Sequence, residues 1–138
     1  MSYERKEIYP LDVIFPHIYS SKEYKENPEL KERIFDGDVI KMTSLRLRLF
    51  KFVSHTCRKC NLKGIFFAKE RTNHLNSITQ SYHLNLYGYN SNGDEIMLTK
   101  DHIKPKAKGG QDILMNMDCL CKLCNEEKGN TWNGLEGC

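Results

Sequence analysis

The clearest alternation of hydrophobic and polar positions lies in the second half of the chain. Tyr82-His-Leu-Asn-Leu-Tyr-Gly-Tyr89 and Glu95-Ile-Met-Leu-Thr99 are β-prone runs separated by Asn90-Ser-Asn-Gly93-Asp94. Two such runs around an Asn/Gly turn predict a β-hairpin, whose second strand delivers Asp101 and His102 to its end. Residues 64–71, with Ile65, Phe66 and Phe67, read as another strand. Residues 42–53 satisfy both periods: Leu45, Leu47 and Leu49 alternate like a strand, while Met42, Leu45, Leu49 and Phe52 recur on one helix face. Thr43 or Ser44 could cap such a helix. Residues 23–35 predict a short charged helix or two turns interrupted at Asn27-Pro28, where Pro28 fits a first helical position, and Asp36-Gly37-Asp38 a turn. Residues 1–22 have no helical period but carry Ile8, Leu11, Val13, Ile14, Phe15 and Ile18, which predicts an irregular arm packed on the domain or a partner. Residues 72–81 and 104–110 read as loops, the second being rich in Pro, Gly and Lys. A helix is expected from about Lys122 to Gly129, with Gly129 as its stop.

Length and composition narrow this picture. A chain of 138 residues suits one domain. Its mean hydropathy of −0.62 and 39% hydrophobic content imply a modest core, the kind that commonly needs a covalent or metal staple. No apolar run reaches the ~18 residues of a membrane span, and the first residues lack the apolar segment of a secretory signal. Four of the six cysteines form two Cys-x-x-Cys pairs, Cys57/Cys60 and Cys121/Cys124. That spacing favours a metal site in a reducing compartment over a disulfide framework, so a cytoplasmic location is expected. Four thiolates complete the tetrahedral shell of a structural Zn²⁺ and leave no position for substrate. Cys119 and Cys138 fall outside the spacing.

Charge is unevenly laid out. Residues 39–69 hold eight basic side chains (Lys41, Arg46, Arg48, Lys51, Arg58, Lys59, Lys63, Lys69) and no acidic one. The flanking segments are both net acidic. An acid-free block of this kind predicts an electrostatic footprint for a polyanion.

The candidate chemistry lies between Thr99 and Asn130, which reads Thr-Lys-Asp101-His102-Ile-Lys-Pro105-Lys-Ala-Lys-Gly109-Gly110, then Asn116-Met-Asp-Cys-Leu-Cys121-Lys-Leu-Cys124-Asn125. Imidazole titrates near neutral pH, so His102 can take a proton from water, and Asp101 offers a hard oxygen to a divalent cation. An Asp-His dipeptide alone is more often surface or capping chemistry. Its combination with Asn116, Asn125 and the double Cys-x-x-Cys resembles the HNH endonucleases of the His-Me finger (ββα-metal) superfamily in their zinc-stapled form, over residues 56–130.

The resemblance implies an α+β fold: a ββα-metal core with a four-cysteine structural zinc site and a short N-terminal extension. It divides the chain into an N-terminal arm and short helix (1–40) and a nuclease domain (41–138), and it favours the helical reading of residues 42–53. It implies that Asn116 pins the loop and orients the base, and that Asn125 is a metal ligand with Asp101. Asn125 stands where the literal His-Asn-His pattern has its last His, and the resulting all-oxygen set favours Mg²⁺ or Mn²⁺. The implied activity is metal-dependent hydrolysis of phosphodiesters, with His102 as general base and double-stranded DNA as substrate. Arg46, Arg48, Arg58, Lys59, Lys104, Lys106, Lys108 and Lys128 are the candidate nucleic-acid contacts. Two alternatives stand beside this reading: a zinc-stapled binding module with vestigial catalytic residues, and a structure-selective or RNA-directed nuclease. The chain resembles compact proteins of phages and mobile elements, which places it in a host cytoplasm; a protein partner or homodimer stays open. His17, His55, His74 and His83 have no partner pattern, and Trp132 reads as a packing anchor.

Overall fold

The computed structural model describes residues 3–72 and 81–129. The expectations for His74, Trp132 and Cys138 fall outside these residues.

The alternating runs around Asn90 form strands His83–Tyr89 and Glu95–His102, paired antiparallel with Tyr87 opposite Met97 and Tyr89 opposite Glu95. The turn closes on Asn90, whose Oδ1 accepts from the amides of Asn92 (3.0 Å) and Asp94 (2.9 Å), and Gly93 takes a φ of 80° that most side chains avoid. Around this hairpin lies a mixed α and β fold. In chain order the elements are β1 (Tyr3–Pro10), α1 (Leu11–Ile14), α2 (Ser21–Glu26), β2 (Glu32–Phe35), β3 (Asp38–Lys41), α3 (Leu45–Phe52), β4 (Phe66–Thr72), β5 (His83–Tyr89), β6 (Glu95–His102), β7 (Met117–Cys121) and α4 (Lys122–Lys128). Five strands make one antiparallel sheet in the order β1-β4-β5-β6-β7, and β2-β3 is a separate hairpin.

α3 resolves the ambiguity of residues 42–53 in favour of the helix. Ser44 caps it, its Oγ accepting from the Leu47 amide at 3.2 Å, and Leu47, Leu49 and Phe50 turn inward. They join Ile14, Ile18, Phe67, Leu84, Leu86, Leu98 and Leu120 in a core that runs from Tyr9 to Cys121. Burying each such side chain is worth roughly 1.5–3 kcal/mol. Among the described residues, no helix is long and apolar enough to cross a membrane.

The structure differs from the local pattern in three places. Residues 3–10 are not an irregular arm but the edge strand β1, whose Tyr9 lies opposite Phe67 of β4. β1 lacks apolar alternation because ion pairs hold its middle: Glu4 with Arg71 (2.8 Å), Arg5 with Glu70 (2.6 Å) and Glu7 with Lys69 (2.7 Å). The short helix or two turns expected over 23–35 with a break at Asn27-Pro28 are present as α2 and a 3-10 turn over Pro28–Lys31 that Pro28 opens, but Glu32–Phe35 belong to β2 instead. The predicted turn then lies between β2 and β3, with Asp36 and Gly37 both at positive φ. Finally, residues 117–121 form β7, a strand that the sequence reading left without an assignment.

Candidate functional site

β6 and β7 pair from Leu98 opposite Cys121 to His102 opposite Met117, and α4 follows β7 without a break. Successive side chains of β6 point to opposite faces. Thr99 and Asp101 face α4: Asn125 Nδ2 donates to Thr99 Oγ1 (2.8 Å) and Lys128 Nζ to Asp101 Oδ2 (2.8 Å). Lys100 and His102 face the loop between the strands, where both meet Asp112. Because the strand ends at His102, Asp101 and His102 still open onto one cleft of about 220 Å³, which Lys100, Pro105, Lys106, Ala107 and Gly129 complete.

Asp101 is buried and held by two cations. Arg58 Nη1 lies 3.0 Å from its Oδ2 on one side and Lys128 Nζ on the other, and Lys128 also donates to the His102 carbonyl at 2.9 Å. Both bonds go to Oδ2. Asn125 donates through Nδ2 to Thr99 and, at 3.4 Å, to the Lys100 carbonyl. The remaining oxygens, Asp101 Oδ1 and Asn125 Oδ1, carry no hydrogen bond among the described residues. Both are hard oxygens of the kind a small divalent cation takes, but Asn125 does not line the cleft, and Arg58 and Lys128 already balance the charge of Asp101.

Asn116 ties the loop together. Its Oδ1 accepts from the Lys104 amide (2.9 Å), and its Nδ2 donates to the carbonyls of Lys104 (3.0 Å) and Gln111 (2.8 Å). The Ile103 amide donates to the Asn116 carbonyl at 2.8 Å. Gly110 is required here, since a Cβ on it would lie 1.7 Å from the Lys104 carbonyl oxygen.

His102 Nε2 lies 2.8 Å from Asp112 Oδ1, and the ring is largely sheltered. The hydrogen bond from His102, helped by Lys100 and Lys106, holds the Asp112 carboxyl below its usual range. Asp112 was not singled out from the sequence. It follows Gly109-Gly110-Gln111 at no motif spacing, and only the loop's path brings it onto the imidazole.

The cysteines converge as their spacing requires. The four Sγ atoms of Cys57, Cys60, Cys121 and Cys124 lie within 4.8 Å of one another, and Cys60 Sγ is 3.7 Å from Cys121 Sγ. A zinc–sulfur bond of ~2.3 Å in a tetrahedron gives sulfurs about 3.8 Å apart, so the set fits a structural metal such as zinc. Burial pushes the Cys57 thiol up, but amide donors from Cys60, Cys121 and Lys59 outweigh it and bring it down to about 7. Burial raises the thiols of Cys60 and Cys124. The first knuckle turns at Asn61, at φ 66°, and the Arg58 amide donates to the Cys119 carbonyl at 3.0 Å. Cys121 Sγ caps α4, accepting from the Cys124 amide at 3.4 Å. Cys119 lies outside the set, with burial pushing its thiol up to about 12.

The basic candidates divide. Arg46 Nη2 donates to the Leu84 carbonyl (2.9 Å) and Arg48 Nη2 to the Thr43 carbonyl (3.2 Å); both Nε atoms are buried without a partner. Arg58 and Lys128 serve Asp101, and Lys128 is buried. Lys69, also in the acid-free block, is buried among Glu7, Asp38 and the Phe35 carbonyl. Of the block's eight cations Lys69 is buried, Arg46, Arg48, Lys51 and Arg58 are half-buried, and Lys41, Lys59 and Lys63 are exposed, so the block is only partly open to a polyanion, and Arg46, Arg48 and Lys128 each have partners within the fold. Lys59, Lys106 and Lys108 are exposed, and Lys104 is half-buried in the clamped loop. Of the histidines, His55 stacks edge-on against Phe15, and burial lowers the pKa of His17 and His83.

Residues 90–134 match the family described as HNH endonuclease. No curated protein and no solved structure matched the chain.

Proposed function

We propose, from the match of residues 90–134 to the HNH endonuclease family and the geometry of the site, that the protein is a divalent-metal-dependent endonuclease that hydrolyses phosphodiester bonds in double-stranded DNA. The observation that carries this reading is the opening of Asp101 and His102 onto one cleft at the end of β6, with Asn116 clamping the loop beyond it. On this reading β6, β7 and α4 are the ββα element of a His-Me finger.

His102 takes a proton from water, and the resulting hydroxide attacks phosphorus as the P–O3′ bond breaks. The products are a 5′-phosphate and a 3′-oxygen that gains a proton from solvent. Asp101 and Asn125 would hold Mg²⁺ or Mn²⁺, which supplies Lewis-acid relief of negative charge on the phosphate and the leaving oxygen. Arg58 and Lys128 fix the Asp101 side chain through its Oδ2. The four-cysteine site carries a structural zinc. Lys106, on the cleft wall, and Lys108 beside it attract the phosphate backbone.

The test is single-turnover nicking of supercoiled plasmid with Mg²⁺. His102→Ala is expected to cut at least ~100-fold more slowly, with zinc content and DNA affinity unchanged. Cleavage by His102→Ala at the wild-type rate, in two independent preparations, would leave a binding module in place of the nuclease.

A further inference from the structure

We infer that Asp112 is the positioning residue for His102, its carboxylate fixing the imidazole as the Nε2–H tautomer and leaving Nδ1 as the proton acceptor. This rests on the nuclease reading above and names a residue that reading does not use. The contact is short, 2.8 Å from Nε2 to Oδ1, whereas the competing approach of Lys100 to the same oxygen is 3.9 Å. His102 Nδ1 has no hydrogen-bond partner among the described residues, and His102 is one of the residues that line the cleft. With the proton on Nε2, Nδ1 is the ring atom whose lone pair is available.

An exposed aspartate on a loop ordinarily samples several rotamers, so its place needs an explanation. The residue before it, Gln111, has its carbonyl bound by Asn116 Nδ2 at 2.8 Å. Two residues back, the Gly110 amide donates to the Pro105 carbonyl at 2.9 Å, at a point too tight for a Cβ. Just after it, the Asn116 amide closes a turn on the Ile113 carbonyl at 2.9 Å. Asp112 thus projects from backbone held on both sides. Asn116 therefore acts on His102 through Gln111 and Asp112, a route that runs along the chain from the clamp to the base.

Asp112→Ala and Asp112→Asn are compared with His102→Ala and Asn116→Ala, using plasmid nicking at saturating protein and Mg²⁺. Long-range ¹H–¹⁵N spectra of the imidazole report which ring nitrogen carries the proton. Asp112→Ala is expected to slow the single-turnover rate by roughly 10–100-fold at unchanged DNA affinity. It should also move the His102 proton partly to Nδ1. Asp112→Asn, which keeps an acceptor oxygen, should fall between it and wild type. Combining Asp112→Ala with Asn116→Ala should cost less than the product of the two effects, because both act on one orientation. A wild-type rate for Asp112→Ala while His102→Ala is inactive overturns this inference and leaves the nuclease reading intact. So does a slowed Asp112→Ala whose His102 tautomer is unchanged. A fully active His102→Ala overturns the nuclease reading itself.

Discussion

A lysine at the end of a seven-residue helix would ordinarily reach into water, yet Lys128 is buried, with its ammonium 2.8 Å from Asp101 and 2.9 Å from the His102 carbonyl. Desolvating a lysine is costly, and only a full set of partners offsets the cost. Replacing it by methionine leaves the buried Asp101 carboxylate with Arg58 alone. Lys128→Met should therefore lower unfolding stability by about 3 kcal/mol, measured by urea titration, a loss typical of breaking a buried pair. An unchanged midpoint would mean that the ammonium leaves Asp101 in solution. The order of a motif singled out Asp101, His102, Asn116 and Asn125 as candidates. It could not locate Asp112 or the burial of Lys128. Those follow from where a loop and a helix end come to rest against β6, contacts between residues ten and twenty-seven positions apart.

Helices as short as α4 are not stable alone, since nucleation is unfavourable below ~12–15 residues. It is held at its start by Cys121 and along its face by Asn125 and Lys128. A structural zinc would lock Cys121 and Cys124 to the knuckle that carries Arg58, and so join α4, β7 and the second cation on Asp101 into one unit. The purified protein is expected to contain about one zinc per chain, by elemental analysis. A strong chelator, or Cys60→Ser, should lower the melting temperature and also slow cleavage when Mg²⁺ is restored in excess, because Arg58 moves with its knuckle. Full activity in zinc-free protein would separate the two sites. The Asn90 hairpin was legible by alternation and turn chemistry, whereas residues 42–53 fitted both periods and only the resemblance favoured the helix α3, whose buried side chains are Leu47, Leu49 and Phe50 while Phe52 is exposed. β1 was missed because ion pairs take the place of apolar alternation. β7 was missed because Met117-Asp-Cys-Leu-Cys121 is short and pairs with β6 across a fourteen-residue loop, so its hydrogen bonds have no trace in local pattern.

Across the whole molecule, net charge is +3 but its layout in space differs from its layout in sequence. Counting charges along residues 39–69 treats every cation as available to a polyanion. The fold assigns Lys69 to a knot with Glu7 and Asp38 that ties β1 and β3 to β4, Lys51 to the Ile18 carbonyl, and Arg46 and Arg48 to backbone carbonyls. What faces solvent near the cleft is the loop pair Lys106 and Lys108. DNA affinity should follow this spatial division. Each phosphate contact contributes about 0.9 to the slope of log affinity against log salt, so Lys106→Gln with Lys108→Gln should flatten the slope by roughly 1.8. Arg46→Gln with Arg48→Gln should leave the slope unchanged. It should instead lower the melting temperature, by roughly 3–4 °C for each kcal/mol of lost guanidinium–carbonyl bonding. Fluorescence anisotropy on two unrelated duplexes across a salt series measures the slopes, and a thermal melt of the same preparations supplies the second axis. If the arginine pair flattens the slope and the loop pair does not, DNA approaches from the α3 side, and the cleft at the end of β6 is not where the backbone lies.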